Sequence, residues 1–240
     1  MSLKNFKKNG VLLNGIHTVR SKKSKCSGTF KNGKLNGKGK CQFFRKIKKS
    51  DITNPSIMDG EWINNELVKG KKVYPYYSKK SKKIHNQIHL GSFKNGKLDG
   101  KGEKRWHNAT AKGIYKNSKL NGSCLTKWKS GALEKGLCKN DLLVKGKKIG
   151  VYRSKKTKKM EKKIGIGTFK NGKLNGECEI KWRNGIYRGL CKNDIQHGEG
   201  TYIFKGKKYT GVWRGFNVNE PQNWWDKISS YLQKFTRSMN

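Results

Sequence analysis

Lysine in short tracts is the residue type in this chain with most chemistry to offer. Three tracts share one form: Ser21-Lys22-Lys23-Ser24-Lys25, Ser78-Lys79-Lys80-Ser81-Lys82-Lys83 and Ser154-Lys155-Lys156-Thr157-Lys158-Lys159. A fourth, Arg45-Lys46-Ile47-Lys48-Lys49, lacks the serines. Clustered ammonium groups attract polyanions, so the candidate contact residues are Lys22, Lys23, Lys46, Lys48, Lys49, Lys79, Lys80, Lys82, Lys83, Lys155, Lys156, Lys158 and Lys159. A solvated edge that resists aggregation is their competing role, because lysine commonly protects open strand edges. The Ser and Thr between the lysines also offer phosphorylation sites that would cancel the charge. Across 240 residues the formal charge is +42, from 57 Lys and Arg against 15 Asp and Glu. Part of that excess is what an A/T-rich coding sequence would write, yet a charge of this size binds polyanions whatever its origin.

Other chemistries find less support. An enzyme needs acids, bases or nucleophiles converging on a cleft, and the 15 carboxylates are mostly isolated. No catalytic activity, cofactor or metal is expected. Glycine pairs such as Gly37 and Gly39, Gly100 and Gly102, and Gly198 and Gly200 are not followed by a helix-forming segment. They suit close backbone or ring approach better than a phosphate cradle. Six cysteines show no Cys-x-x-Cys spacing, and His17, His85, His89, His107 and His197 do not cluster with them. Small thiols in a reducing compartment are expected over disulfides or a metal site. No leader-like apolar run follows the basic start, and no stretch reaches the ~18 apolar residues of a membrane span. The expectation is a cytoplasmic chain, with peripheral membrane contact left open.

The elements that must position these residues are set by a repeat of about 22 residues. Its first line, Gly-x-Phe-Lys-Asn-Gly-Lys-Leu-Asn-Gly, stands at Gly28, Gly91 and Gly167, with altered copies opening at Gly60, Gly113, Gly136 and Gly189. A half copy opens at Gly211, and a degraded one surrounds Gly10 and Gly15. The third position is Phe30, Trp62, Phe93, Tyr115, Cys138, Phe169, Cys191 or Trp213. A leucine column follows at 35, 67, 98, 120, 143 and 174, and a second aromatic column at Phe43, Trp106, Trp128, Trp182 and Phe204. Asn-Gly, Asn-Asn, Asn-Ser or Asn-Asp between ring and leucine predicts a two-residue hairpin turn with positive φ. With no helical spacing, each unit reads as two short strands. The fold class expected is all-β: an elongated, twisted antiparallel ribbon of tandem β-hairpins, roughly 75–80 Å long, with a short C-terminal helix.

The pattern Gly-x-Tyr/Phe-x-Asn-Gly-Lys-x-x-Gly-x-Gly, clearest from Gly167 to Trp182 and from Tyr187 to Tyr202, resembles the MORN (membrane occupation and recognition nexus) repeat. The resemblance covers about residues 5–216. It departs where Cys replaces the ring at 138 and 191, and where Ser or Cys replaces glycine at 123–124 and 177–178. It implies a non-catalytic attachment module for membranes, cytoskeletal assemblies or signalling enzymes, often self-associating. A repeat domain over 1–216 and a tail over 217–240 follow from this.

Spacings of 31 or 32 residues interrupt the period, and each long interval carries about nine extra, lysine-rich residues. Gly91 and Gly167 lie 76 apart, as do the second and third serine-bearing tracts, so a block of three hairpins was duplicated whole. Each insertion reads as a basic loop that follows a second strand, which predicts that all leave the same edge. In the tail, Trp224, Ile228, Tyr231, Leu232 and Phe235 mark one face of a helix, with Trp225 beside it. That helix would cap the array or anchor it at a membrane interface. The partners expected are a protein or an anionic lipid surface, with non-specific nucleic-acid binding or a structural role as a basic particle protein as the alternative and homo-oligomerisation open.

Overall fold

Each hairpin is started by its turn. Asn32-Gly33, Asn64-Asn65, Asn95-Gly96, Asn117-Ser118, Asn140-Asp141, Asn171-Gly172 and Asn193-Asp194 hold positive φ at both positions, between 48° and 75°. Such mirror-image turns match the twist of the strands they join, which is why asparagine recurs there. The computed structural model describes residues 5–44, 55–154, 157–183 and 185–214, which form eighteen strands and no helix.

The chain forms two compact units. One runs to Lys129 and includes Cys138–Asp141; the other comprises Ser130–Leu137 and the residues from Leu142 on. The first holds β1 (Lys7–Lys8), β2 (Val11–Leu12), β3 (Gly15–Arg20), β4 (Ser24–Lys31), β5 (Lys34–Phe43), β6 (Ser56–Ile63), β7 (Glu66–Ser78), β8 (Lys83–Lys94), β9 (Lys97–Arg105), β10 (Ala109–Lys116) and β11 (Lys119–Trp128). Strand β12 (Leu133–Lys139) is shared, and the second unit holds β13 (Leu142–Arg153), β14 (Met160–Lys170), β15 (Lys173–Trp182), β16 (Gly185–Lys192), β17 (Ile195–Phe204) and β18 (Lys207–Arg214). Strands β3 to β18 are hydrogen-bonded in strict chain order as one antiparallel sheet of hairpins.

A single sheet has no second layer to bury against, so its core must lie along its own surface. Glycine makes that feasible. Gly39 pairs with both Gly28 and Gly60, Gly70 with both Gly60 and Gly91, and Gly91 with Gly102, a row of rungs without side chains. Leu35, Leu98 and Leu120 fold over that row. A Cβ on Gly28 would lie 3.0 Å from a Leu35 methyl, and one on Gly39 would lie 2.9 Å from the same methyl. A register shift after the leading glycine sets Phe30 opposite Leu35, and likewise Phe93 opposite Leu98 and Phe169 opposite Leu174. The result is a seam of rings and leucines, with Phe30, Leu35, Trp62, Leu98, Tyr115, Leu120 and Leu174 all buried. Each such side chain contributes about 1.5–3 kcal/mol by leaving water. Where the leucine column carries Gln196, the Tyr187 ring covers Gly189 and Gly200 instead and donates its hydroxyl to the Leu190 carbonyl at 2.8 Å. Burial pushes the Tyr187 phenol up to about 12.

Neighbouring repeats are also clipped at their turns. The second turn residue accepts the N–H of the preceding leucine through its side chain and gives its own N–H to that leucine's carbonyl. Asn65 does this to Leu35, Ser118 to Leu98, Asp141 to Leu120 and Asp194 to Leu174, at 2.7–3.1 Å.

Three expectations need correction. The six cysteines are not free thiols: Cys26–Cys41, Cys124–Cys138 and Cys178–Cys191 are disulfides, because each pair occupies facing or diagonal sites of adjacent strands. The lysine-rich insertions of the second and third serine-bearing tracts are largely strand rather than loop. Tyr74–Ser78 pairs with Lys83–Gln87, and Gly150–Arg153 with Met160–Lys163, so the insertions lengthen hairpins. The degraded front copy is a separate small hairpin, β1–β2, whose segment covers the first turn. Phe6 N–H donates to the Gly33 carbonyl at 2.7 Å, Asn32 N–H to Asn14 Oδ1 at 2.8 Å, and the Phe6 ring meets Phe30 edge-on at 5.4 Å. The tail residues Trp224, Trp225, Ile228, Tyr231, Leu232 and Phe235 lie outside the described residues, as do Lys46, Lys48, Lys49, Lys155 and Lys156.

Candidate polyanion-binding edge

In an antiparallel meander, successive connections alternate between two edges of the sheet. The Asn turns take one edge. In the first unit the β3–β4 and β7–β8 tips take the other; in the second unit the β13–β14 tip lies opposite the turns at 171–172 and 193–194.

The three tips share a local design. At the β3–β4 tip, Ser24 N–H donates to Ser21 Oγ at 3.0 Å and Ser21 N–H to the Ser24 carbonyl at 2.7 Å. At β7–β8, Ser81 N–H reaches Ser78 Oγ at 3.3 Å; at β13–β14, Thr157 N–H reaches Ser154 Oγ at 3.2 Å. The first serine closes the turn through its side chain, which leaves the lysines pointing outward. Lys22, Lys23, Lys79, Lys80, Lys82, Lys83, Lys158 and Lys159 are all exposed.

The two duplicated tips differ four residues further on. Ser81 Oγ bonds His85 Nε2 at 2.6 Å, whereas Thr157 Oγ1 donates to Glu161 Oε1 at 2.8 Å. His85 stacks on His107 at 4.2 Å, and the other end of that pair, His107 Nδ1, lies 2.6 Å from the Tyr76 hydroxyl. Partial desolvation, then the charges of His107, Lys83 and Lys129, hold His85 below its ordinary value. Glu161 is held low first by the Thr157 hydroxyl and then by Arg183, 3.3 Å away.

Carboxylates that could neutralise the sheet act on its faces. Glu103 binds Arg105 at 2.6 Å and Lys112 at 3.3 Å, and Glu179 binds Arg188 at 2.7 Å and Lys181 at 2.8 Å. Residues 21–23 and 79–82 contain no acid.

Not every lysine is available to a partner. Lys72 is buried, with its Nζ 4.5 Å from the Phe93 ring centroid and donating to the Gly96 carbonyl at 2.7 Å. Lys104 covers Tyr115 in the same way and reaches the Ser118 carbonyl, and Lys148 donates to the Gly172 carbonyl at 2.9 Å. Each stem reaches the next repeat's turn. Desolvation lowers the Lys72 and Lys104 pKa values. Sequence reading missed these clasps, whose only signal is their place 12 or 13 residues after a leading glycine.

A family model of the MORN repeat matches residues 26–44, 89–110, 166–187 and 187–206. The chain carries MORN repeats. The matches fall on the units opening at Gly28, Gly91, Gly167 and Gly189, while the unmatched units between them continue the same strand order. A search of curated proteins found no match to the chain.

Proposed function

We propose that this MORN-repeat chain is a non-catalytic scaffold that tethers an anionic partner, an acidic protein face or an anionic lipid surface, through its lysine tips. The observation that carries this is the recurrence of one serine-closed lysine tip opposite the Asn turns, free of acid at residues 21–23 and 79–82. Lysines close to an anionic lipid surface gain about 1 kcal/mol each. Non-specific nucleic-acid binding is the second reading, because Tyr74, Tyr76 and Tyr77 adjoin the β7–β8 tip and rings can stack on bases. Tyr74 packs on His89 at 5.3 Å and Tyr76 is bonded to His107, so two of these rings already have partners. The tail, residues 217–240, is proposed as a cap for the array or an interfacial anchor.

One titration separates these roles. The purified chain is added to anionic vesicles and to duplex or single-stranded nucleic acid at ~0.05 and ~0.2 M salt. It is repeated with Lys79, Lys80, Lys82 and Lys83 changed to Gln, and with residues 222–240 deleted. Salt-sensitive vesicle binding lost with the lysines supports the tether. Binding that survives high salt and disappears with the tail assigns it to an anchor. Binding to nucleic acid alone favours the second reading. Binding to neither probe leaves an acidic protein partner, and the tips then act only as edge protection toward lipid and nucleic acid.

A further inference from the structure

Junctions between successive repeats can be compared position by position. At each, the second row site of one repeat, ten or eleven residues after its leading glycine, neighbours the ring site of the next. Five junctions combine glycine with a ring: Gly39 with Trp62, Gly70 with Phe93, Gly102 with Tyr115, Gly146 with Phe169, and Gly200 with Trp213. Two combine cysteine with cysteine: Cys124 with Cys138, and Cys178 with Cys191. None is mixed.

The geometry explains the segregation. Trp62 lies opposite Gly37 and donates its Nε1–H to the Gly39 carbonyl at 2.7 Å; Trp213, opposite Gly198, does the same to Gly200 at 2.9 Å. The ring is bonded to the rung's own carbonyl, and the rung is closed to a side chain by other atoms: a Cβ on Gly39 would meet the Leu35 methyls and the Ser27 carbonyl, and one on Gly200 the Tyr187 ring. Cys191 occupies the matching place, opposite Gly176, and Cys178 pairs with Gly189. At these junctions a thiol at the ring site faces a thiol on the rung and the two sulfurs bond, so a ring at 191 would contest the space of the Cys178 sulfur. Cys124 and Cys138 repeat the arrangement. All six cysteines are buried.

We infer that cysteine–cysteine is a second junction chemistry, closed only by oxidation, and that this chain therefore matures in an oxidising compartment rather than the reducing cytoplasm expected from its sequence. Each closure is a thiol–disulfide exchange with a protein or low-molecular-weight disulfide. One cysteine thiolate attacks the oxidant's disulfide, and the second displaces the oxidant's remaining sulfur from the mixed disulfide. The chain gives up two electrons and two protons per bridge, and the oxidant leaves as two thiols. Reduction leaves two small thiols where other junctions hold a ring, so these two junctions loosen while the ring junctions do not. The inference is independent of what the lysine tips bind.

The test uses the full chain equilibrated in glutathione buffers ranging from cytosol-like to secretory-lumen-like ratios, quenched with acid and alkylated in denaturant. At the lumenal ratio the intact mass should show no alkylated cysteine, and peptide mapping should return 26–41, 124–138 and 178–191. Free thiols at that ratio, or any other connectivity, overturn the inference. A second measurement restores the common chemistry at one junction. The double variant Cys178→Gly/Cys191→Phe should keep its thermal midpoint in reductant better than the parent, while Cys191→Phe alone, with Cys178 still on the rung, should melt lower than the double variant. A single variant as stable as the double one rejects the shared space. If neither variant folds, the mass measurement still decides.

Discussion

Asp194 couples two repeats with one short side chain, accepting the Leu174 N–H at 2.8 Å and giving its own N–H to the Leu174 carbonyl at 3.1 Å. Changing Asp194 to Ala leaves that partly buried N–H without its acceptor, and urea unfolding should register a loss of about 1–2 kcal/mol. Asp194→Asn keeps an acceptor, as Asn65 does naturally, and should cost under about 0.5 kcal/mol; equal losses for both variants would show that the carboxylate acts through charge. Lys72→Met keeps the stem over Phe93 but drops the bond to the Gly96 carbonyl, for an expected loss of about 1–2 kcal/mol by the same assay. His89 sets a pH dependence: burial, then Lys104 and Lys72, hold its pKa at about 4. The folded state therefore binds fewer protons than the unfolded chain between about 6.5 and 4, so stability falls as pH drops through that window. His89→Gln should flatten this part of a pH–stability curve. Of these residues only the turn asparagines and aspartates were legible beforehand, because repeat phase names them directly. Lys72 sits in a run that looks solvated, and its role depends on how far a lysine stem reaches across paired strands.

A hairpin here is as good as its glycine rungs. Gly70 has φ of 142°, and a Cβ on it would meet the Asp59 carbonyl oxygen and the Gly60 Cα. Gly70→Ala should destabilise the β6–β7 and β7–β8 pairings on the order of 3 kcal/mol. Hydrogen exchange should show lost protection there and little change at β1–β2; uniform loss would mean that the hairpins unfold as one body. At this scale the sequence was most informative. Asn-x turns, rings and leucines recur at fixed offsets, and they gave the strand pairs and most of the buried seam. Two features escaped. The insertions read as loops because lysine and serine dominate them, although Pro75, Tyr76 and Tyr77 pair in register with Asn86, His85 and Ile84. Repeat phase already put Cys138 and Cys191 in the ring column and Cys124 and Cys178 at the second glycine, but separations of 14 and 13 residues suggested no bond; strand pairing is what brings the two columns side by side.

For the molecule as a whole, a charge of +42 on 240 residues opposes its own folding. Raising salt from about 0.02 to about 0.2 M shortens the screening length several-fold, so the thermal midpoint should climb by a few degrees. A polyanion that binds the folded chain should raise it further at low salt. A midpoint indifferent to salt would mean that paired charges such as Glu103–Lys112 and Glu179–Arg188 already quiet the repulsion. The row of side-chain-free rungs has one more consequence, for how such a gene can change length. Removing or copying 22 codons brings the next bare rung into line with the last. Losing one codon inside a strand turns rings outward and sets lysines where leucines should lie. Insertions are tolerated only at the tips, where they lengthen a hairpin without disturbing the row, as in the intervals from Gly60 to Gly91 and from Gly136 to Gly167.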